Sequence, residues 1–178
     1  MASVESPVVP PAPGWARRLP PDEKVFLWIV LASVAFMSAV AIGWVFLGDH
    51  NVPTRSYRTT PAEFSKQVSD FTARYATDTG AVRVPPGEDG YMMAARYAFF
   101  PELVLTAGEE YTIWFSSMDA LHGLSIVGGD QNINLEVAPN HAYGATFTAA
   151  KPGKYLIVCN EFCGLRHERM QGYIYVER

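Results

Sequence analysis

Cysteine is nearly absent from this 178-residue chain, which contains only Cys159 and Cys163. Two cysteines four positions apart do not staple a chain of this size, so a disulfide framework is excluded. Basic residues are also in short supply: 14 Lys and Arg face 18 Asp and Glu, for a net charge of −4. Without a basic stripe to neutralise phosphates, nucleic-acid binding is excluded. The length suits one domain with extensions rather than two full domains. No internal repeat is visible.

Charge is missing altogether from residues 25–47, VFLWIVLASVAFMSAVAIGWVFL. At about 1.5 Å of rise per residue, such a helix crosses a hydrocarbon core of about 30 Å. Trp28 and Trp44 stand near its two ends, where amphipathic rings favour the interface. A cleaved signal peptide is the alternative. The apolar run is too long for one, and the following GDHNVP is a poor cleavage site. The run is therefore read as an uncleaved single transmembrane helix. Residues 1–24 form the tail before it, Pro- and Ala-rich at the start and expected to be disordered there. Arg17, Arg18 and Lys24 precede the span, and Arg55, Arg58 and Lys66 follow it. The positive-inside count is close to a tie and does not orient the chain.

Residues 48–84 read as a linker carrying a short amphipathic helix. Thr60 suits a helix cap, Pro61 the first helical position, and Glu63 completes a capping box. Phe64, Val68, Phe71 and Tyr75 then fall on one helical face, and Gly80 is the expected stop. From residue 85 the pattern changes to short β-rich runs: 91–97, 103–105, 111–117, 122–126, 132–137, 142–148, 154–158 and 172–176. Pro101, Gly108, Gly128, Gly129, Pro139, Asn140, Pro152 and Gly153 punctuate them. Many short strands at regular spacing predict a β-sandwich.

The chemistry concentrates in residues 159–170, CNEFCGLRHERM, between two predicted strands, with His122 at the start of an earlier one. One thiolate, two imidazoles and a long axial thioether are the ligand set of a blue-copper site. Cys163, His167, Met170 and His122 supply it. Cys159 adds a second thiolate, so two sulfurs can bridge two metal ions, each with one terminal imidazole from His122 or His167. Met170 sulfur and the Glu161 backbone carbonyl remain as weak axial ligands. Spreading one redox change over two metals and two sulfurs keeps each bond nearly constant, which suits an electron relay. Three plainer readings compete. The cysteines could pair as a disulfide in an exported compartment. Two Cys and two His could bind structural zinc, though Met170 is then unexplained. Taken singly, Met170 reads as core filler and His122 as a satisfied polar residue. His50 and His141 have no such partners; His50 is placed near the membrane interface and His141 in a surface turn.

The string resembles the C-x-x-x-C-x-x-x-H-x-x-M loop of subunit II of haem–copper oxidases. FFPELVLTAGEEYTIWFSSMDALHGLSI (residues 99–126) resembles the same family's run to its first histidine. NINLEVAPN (132–140), KPGKY (151–155) and the single span look most like the B-type branch. The resemblance covers about residues 91–178. It implies an all-β cupredoxin-like Greek-key sandwich over 85–178, holding binuclear copper A, with the N-terminus inside. It implies that the domain faces the periplasm or the cell exterior of an inner (plasma) membrane. Carried over residue by residue, the ligands are His122, Cys159, Glu161 through its carbonyl, Cys163, His167 and Met170. Electrons would arrive from a cytochrome c or small copper protein and leave to haem in subunit I, where oxygen is reduced. The subunit itself would carry no catalytic residue. In some members the glutamate side chain at the Glu161 position also helps hold magnesium at the subunit I interface, an option open here.

One departure stands out. Where many members have a Trp-Tyr-Trp electron-entry strip, this chain has Ala95-Arg96-Tyr97-Ala98-Phe99-Phe100, leaving Tyr97 or Phe99 as substitutes. The rival functions are the copper A subunit of a nitric oxide reductase and a stand-alone membrane-tethered copper electron carrier. Chain length argues against a nitrous oxide reductase. A thioredoxin-type copper chaperone would place its histidine far downstream.

Overall fold

The computed structural model describes residues 19–48, 55–128 and 133–178. The first 18 residues of the expected 1–24 tail, His50 and Asn132 lie outside them. The chain divides into two compact units, Met1–Asp49 and His50–Arg178.

Among its described residues the first unit has one helix, α1 (Pro21–Leu47), long and apolar enough to cross a membrane, with none of that helix's residues buried. It begins ahead of the uncharged run because Pro21 fits a first helical position and Asp22 and Glu23 suit the first turn.

The second unit is built of β1 (Arg55–Arg58), α2 (Pro61–Tyr75), β2 (Val82–Arg83), β3 (Gly90–Ala95), β4 (Ala98–Phe100) and β5 (Leu103–Thr106). There follow β6 (Glu110–Ser117), β7 (His122–Val127), β8 (Ile133–Val137), β9 (His141–Thr148), β10 (Gly153–Val158) and β11 (Gln171–Glu177). Among the described residues the strands run in the order β1-β9-β6-β3-β4-β11-β10-β7-β8, with β5 on β11 and β2 on β5. One core holds the two halves of this order together. Met92, Ala94, Ile113 and Phe115 come from one half, and Leu124, Ile126, Ile157 and Ile174 from the other. The expected cupredoxin-like β architecture and N-terminal apolar helix are what the chain forms. The chain crosses between halves after β6, at residues 118–121, and delivers His122 at the first position of β7.

The capping box of α2 is present: Glu63 N–H donates to Thr60 Oγ1 (3.2 Å), and Thr60 N–H to Glu63 Oε2 (2.8 Å). Phe64, Val68 and Phe71 are its buried face. Phe64 and Val68 pack with Met93, Trp114 and Ala142. Because side chains alternate along a strand, β3 turns Met92 and Ala94 to the core and Met93 to α2. Each large α2 side chain buried there stabilises by about 1.5–3 kcal/mol.

Several elements differ from expectation. Helix α2 ends at Tyr75 rather than at Gly80. The chain turns extended at Ala76, and the Thr77 N–H and hydroxyl both donate to the Ala81 carbonyl (2.8 Å). Gly80, at φ 86°, serves that turn instead. Part of the expected linker is a strand, β1, held on β9 with Tyr57 edge-on to Trp114 at 5.0 Å. RSYR carries no apolar alternation, so its pairing depends on the partner edge. The run predicted over 91–97 breaks at Arg96 and resumes as β4. His141 opens β9, half-buried, just after the Pro139–Asn140 turn.

Candidate metal centre

The loop 159–170 leaves the sheet from β10 and re-enters at β11. Its neck is tied twice. Val158 pairs with Gln171 in the ladder, and Cys159 N–H donates to the Met170 carbonyl at 3.2 Å. The first cysteine and the methionine therefore sit side by side at the rim of a rigid sheet. Inside the loop, Gly164 adopts φ 142°, a conformation that side chains resist. A Cβ there would also stand 2.7 Å from the Tyr97 hydroxyl. From that turn, His167 N–H donates to the Gly164 carbonyl (3.1 Å) and opens a short 3-10 turn, His167–Arg169.

The sulfur and imidazole groups converge. Cys159 Sγ and Cys163 Sγ are 3.8 Å apart, well beyond a disulfide bond of about 2.05 Å, and both cysteines are free. Cys159 Sγ lies 3.9 Å from His122 Nδ1 and 3.2 Å from the Glu161 carbonyl. Cys163 Sγ lies 3.7 Å from His167 Nδ1 and 3.7 Å from Met170 Sδ. All six residues singled out in the sequence thus stand in one neighbourhood. Donor atoms of His122, Cys159 and Cys163 lie within 4.8 Å of one another. His122 and Met170 are 0% and 1% exposed, and both cysteines are buried. His167 is half-buried.

The strand beside the loop is shaped for it. A Cβ on Gly123 would stand 1.7 Å from Asn160 Oδ1 and 2.8 Å from Glu161 N. Only glycine lets the segment between the cysteines lie on β7. Asn160 Nδ2 then donates to Ser125 Oγ at 2.8 Å, and the Ser125 hydroxyl donates to Asn134 Oδ1.

Asp119 was not read from the sequence. Its Oδ1 lies 2.8 Å from His122 Nε2. An ionised carboxylate there can only accept, which matches a ring N–H at Nε2, and Nδ1 faces Cys159. A carboxylate behind an imidazole fixes tautomer and ring orientation and raises ligand basicity. Burial pushes the Asp119 carboxyl up. The hydrogen bonds from His122 and from the Arg96 N–H outweigh it and hold the pKa below the usual value. The available signal was an acid three positions before the histidine, in Asp119-Ala120-Leu121-His122. The Ser117 hydroxyl, which accepts from Asp119 N–H and Ala120 N–H at 3.3 Å each, shapes that turn.

The donor chemistry fits a soft metal. Burial, and then the adjacent Cys159, push the Cys163 thiol up to about 11. The protein alone therefore keeps this thiol protonated, and a bound cation is what would favour the thiolate. The thioether beside the thiols suits copper better than zinc.

No family model matches the chain. Cytochrome c oxidase subunit 2 of Thermus thermophilus is 29% identical over 151 residues, 81% of this chain and 89% of that protein. A second protein of that name, also from Thermus thermophilus, is 35% identical over 88 residues, 49% of this chain and 64% of that protein. Nitrous-oxide reductase of Stutzerimonas stutzeri is 29% identical over 106 residues, but the match covers only 16% of that protein. Among solved structures, a haem–copper terminal oxidase dimer contains a chain of TM-score 0.55 and 25% identity. That match spans 88% of this chain and 99% of the other.

Proposed function

We propose that this chain, a homologue of cytochrome c oxidase subunit 2, is the electron-entry subunit of a membrane haem–copper oxidase. The observation that carries this reading is the convergence of two buried thiols, two imidazoles and a thioether at one loop neck. His122, Cys159, the Glu161 carbonyl, Cys163, His167 and Met170 would hold a pair of copper ions. The two thiolates and the two imidazoles would be its strong donors. Bound there, the pair supplies one-electron redox chemistry shared over both ions.

The chain's own residues do the rest. Asp119 holds His122 in one tautomer. The ladder between β10 and β11 fixes Cys159 and Met170 relative to each other, so the donor set has little freedom to rearrange. Burial of His122, both cysteines and Met170 excludes water from the donor atoms. Metal uptake has to displace the proton of the Cys163 thiol, so affinity falls as pH falls.

Electrons arrive from a cytochrome c or small copper protein and leave to haem in subunit I, where oxygen is reduced. The half-buried His167 offers the entry side. Phe162 and Leu165, 74% and 93% exposed, flank it. The nearby charges are mixed in sign: Arg169 Nε lies 3.6 Å from Glu168 Oε1, and Arg166 is exposed beside them. An apolar rim of this kind suits transient docking with weak electrostatic steering. Helix α1 anchors the chain as a single pass, with the β domain on the periplasmic or extracellular side. The Glu161 side chain would contribute to a magnesium site shared with subunit I. The test is to purify the chain with its neighbouring large subunit and follow gas consumption. Oxygen consumption driven by a reduced donor is expected; consumption of nitric oxide alone would reassign the large subunit.

A further inference from the structure

Arg96 sits in the turn between β3 and β4, far in sequence from the loop it serves. Its Nε donates to the Cys163 carbonyl at 2.7 Å. Its backbone N–H donates to Asp119 Oδ2 at 3.1 Å, and its Nε lies 3.9 Å from the same oxygen. Asp119 Oδ1 in turn holds His122 Nε2 at 2.8 Å. A single residue therefore links the backbone of Cys163 to the carboxylate behind His122, the two ends of the donor set that come from different parts of the fold.

We propose that Arg96 is a positioning residue for the metal centre: it fixes Cys163 against the Asp119–His122 pair and places a positive charge there that raises the reduction potential. The proposal rests on the copper reading above. A neutral donor would satisfy the Cys163 carbonyl equally well as a hydrogen bond. A guanidinium adds planarity, which lets one group face carbonyl and carboxylate together, and a charge that is never lost. Oxidation of a metal held by these thiolates adds positive charge to the site. A neighbouring cation disfavours that state, so removing the cation should lower the potential. The Arg96 side chain is 48% exposed, so solvent screens part of its charge and the effect is moderate.

The experiment is potentiometric titration of the copper-loaded full chain in detergent, followed by optical and electron paramagnetic spectra, in wild type, Arg96→Gln and Arg96→Lys. Arg96→Gln should keep its copper and be oxidised more easily. Its equilibrium with a one-electron mediator should shift at least about threefold, roughly 28 mV at 59 mV per tenfold. Arg96→Lys, which keeps the charge, should recover at least half of that shift. Loss of copper from Arg96→Gln with retention in Arg96→Lys would also support positioning. An Arg96→Gln potential and spectrum equal to wild type would overturn the proposal. So would unfolding of both variants, which would make Arg96 a fold residue. A wild-type chain that takes up no copper would overturn the metal reading itself, and this proposal with it.

Discussion

The two halves of the candidate centre are built differently. The His122–Cys159 half is dry and braced: His122 is 0% exposed, Asp119 holds its far nitrogen, and Cys159 is tied to Met170 through the backbone. In the Cys163–His167 half only the histidine turns outward; Cys163 itself is buried and tied to Arg96. Its histidine lies on a three-residue turn, half-buried, beside the exposed Phe162 ring at 6.0 Å. The contrast suggests a division of labour. On the proposed function the braced half would set the geometry of the donor set, and the outward half would meet the electron donor. Perturbing the first should change what is bound, and perturbing the second how fast electrons arrive.

Cys159→Ser is expected to have the largest effect. In the proposed centre it would remove one of the two shared sulfurs and leave a site closer to mononuclear blue copper. The multiline hyperfine pattern of a delocalised copper pair should vanish from the electron paramagnetic spectrum while the circular dichroism of the fold persists. A pattern that survives would mean Cys159 does not bridge.

Next is Asp119→Asn. An amide still accepts a hydrogen bond but no longer raises the basicity of His122. Losing such a supporting carboxylate typically costs about 10–100-fold in metal affinity. Competition with a copper chelator reads this directly. Glu168→Gln, on the outward half, should leave that affinity unchanged. If the two substitutions weaken binding equally, the contrast between the halves is wrong.

Met170→Leu should move the potential far more than the stability. Leu is close in volume, and such swaps cost under about 1.5 kcal/mol. In the proposed centre the lost thioether would be a weak ligand, the kind that tunes electron affinity. Denaturant unfolding and potentiometry on the same variant separate the two. An unchanged potential would make Met170, 1% exposed, a core residue and nothing more.

The smallest effect is expected from salt. With Arg169 beside Glu168 and apolar side chains around His167, steering should be weak. Stopped-flow oxidation of the native donor should change only a few-fold between low and physiological ionic strength. A hundred-fold fall would place docking on charges elsewhere, such as Glu102, Glu109, Glu110 or Glu136.

What the sequence made legible follows the same division. Strands with alternating or continuous apolar runs, such as β6 and β7, announce themselves because burial selects their side chains. The capping box of α2 is local chemistry and reads directly. The convergence of loop 159–170 reads because its sulfur and imidazole groups sit at fixed spacings along one stretch. Strand β1 does not read, since RSYR is held by the edge of β9 and by Trp114. Asp119 and Arg96 escape for a related reason. Asp119 gains its role only where the chain crosses between halves of the sheet. Arg96 meets Cys163 across 67 residues of sequence, an encounter no local pattern encodes.

The central claim is that both halves act on one pair of metal ions. Metal analysis of the full-length chain, reconstituted with copper in detergent and freed of loose metal, tests it most directly. The account expects two copper ions per chain and the multiline signature of a shared electron. One tightly held zinc with no copper, or a single copper with an ordinary mononuclear spectrum, would contradict it.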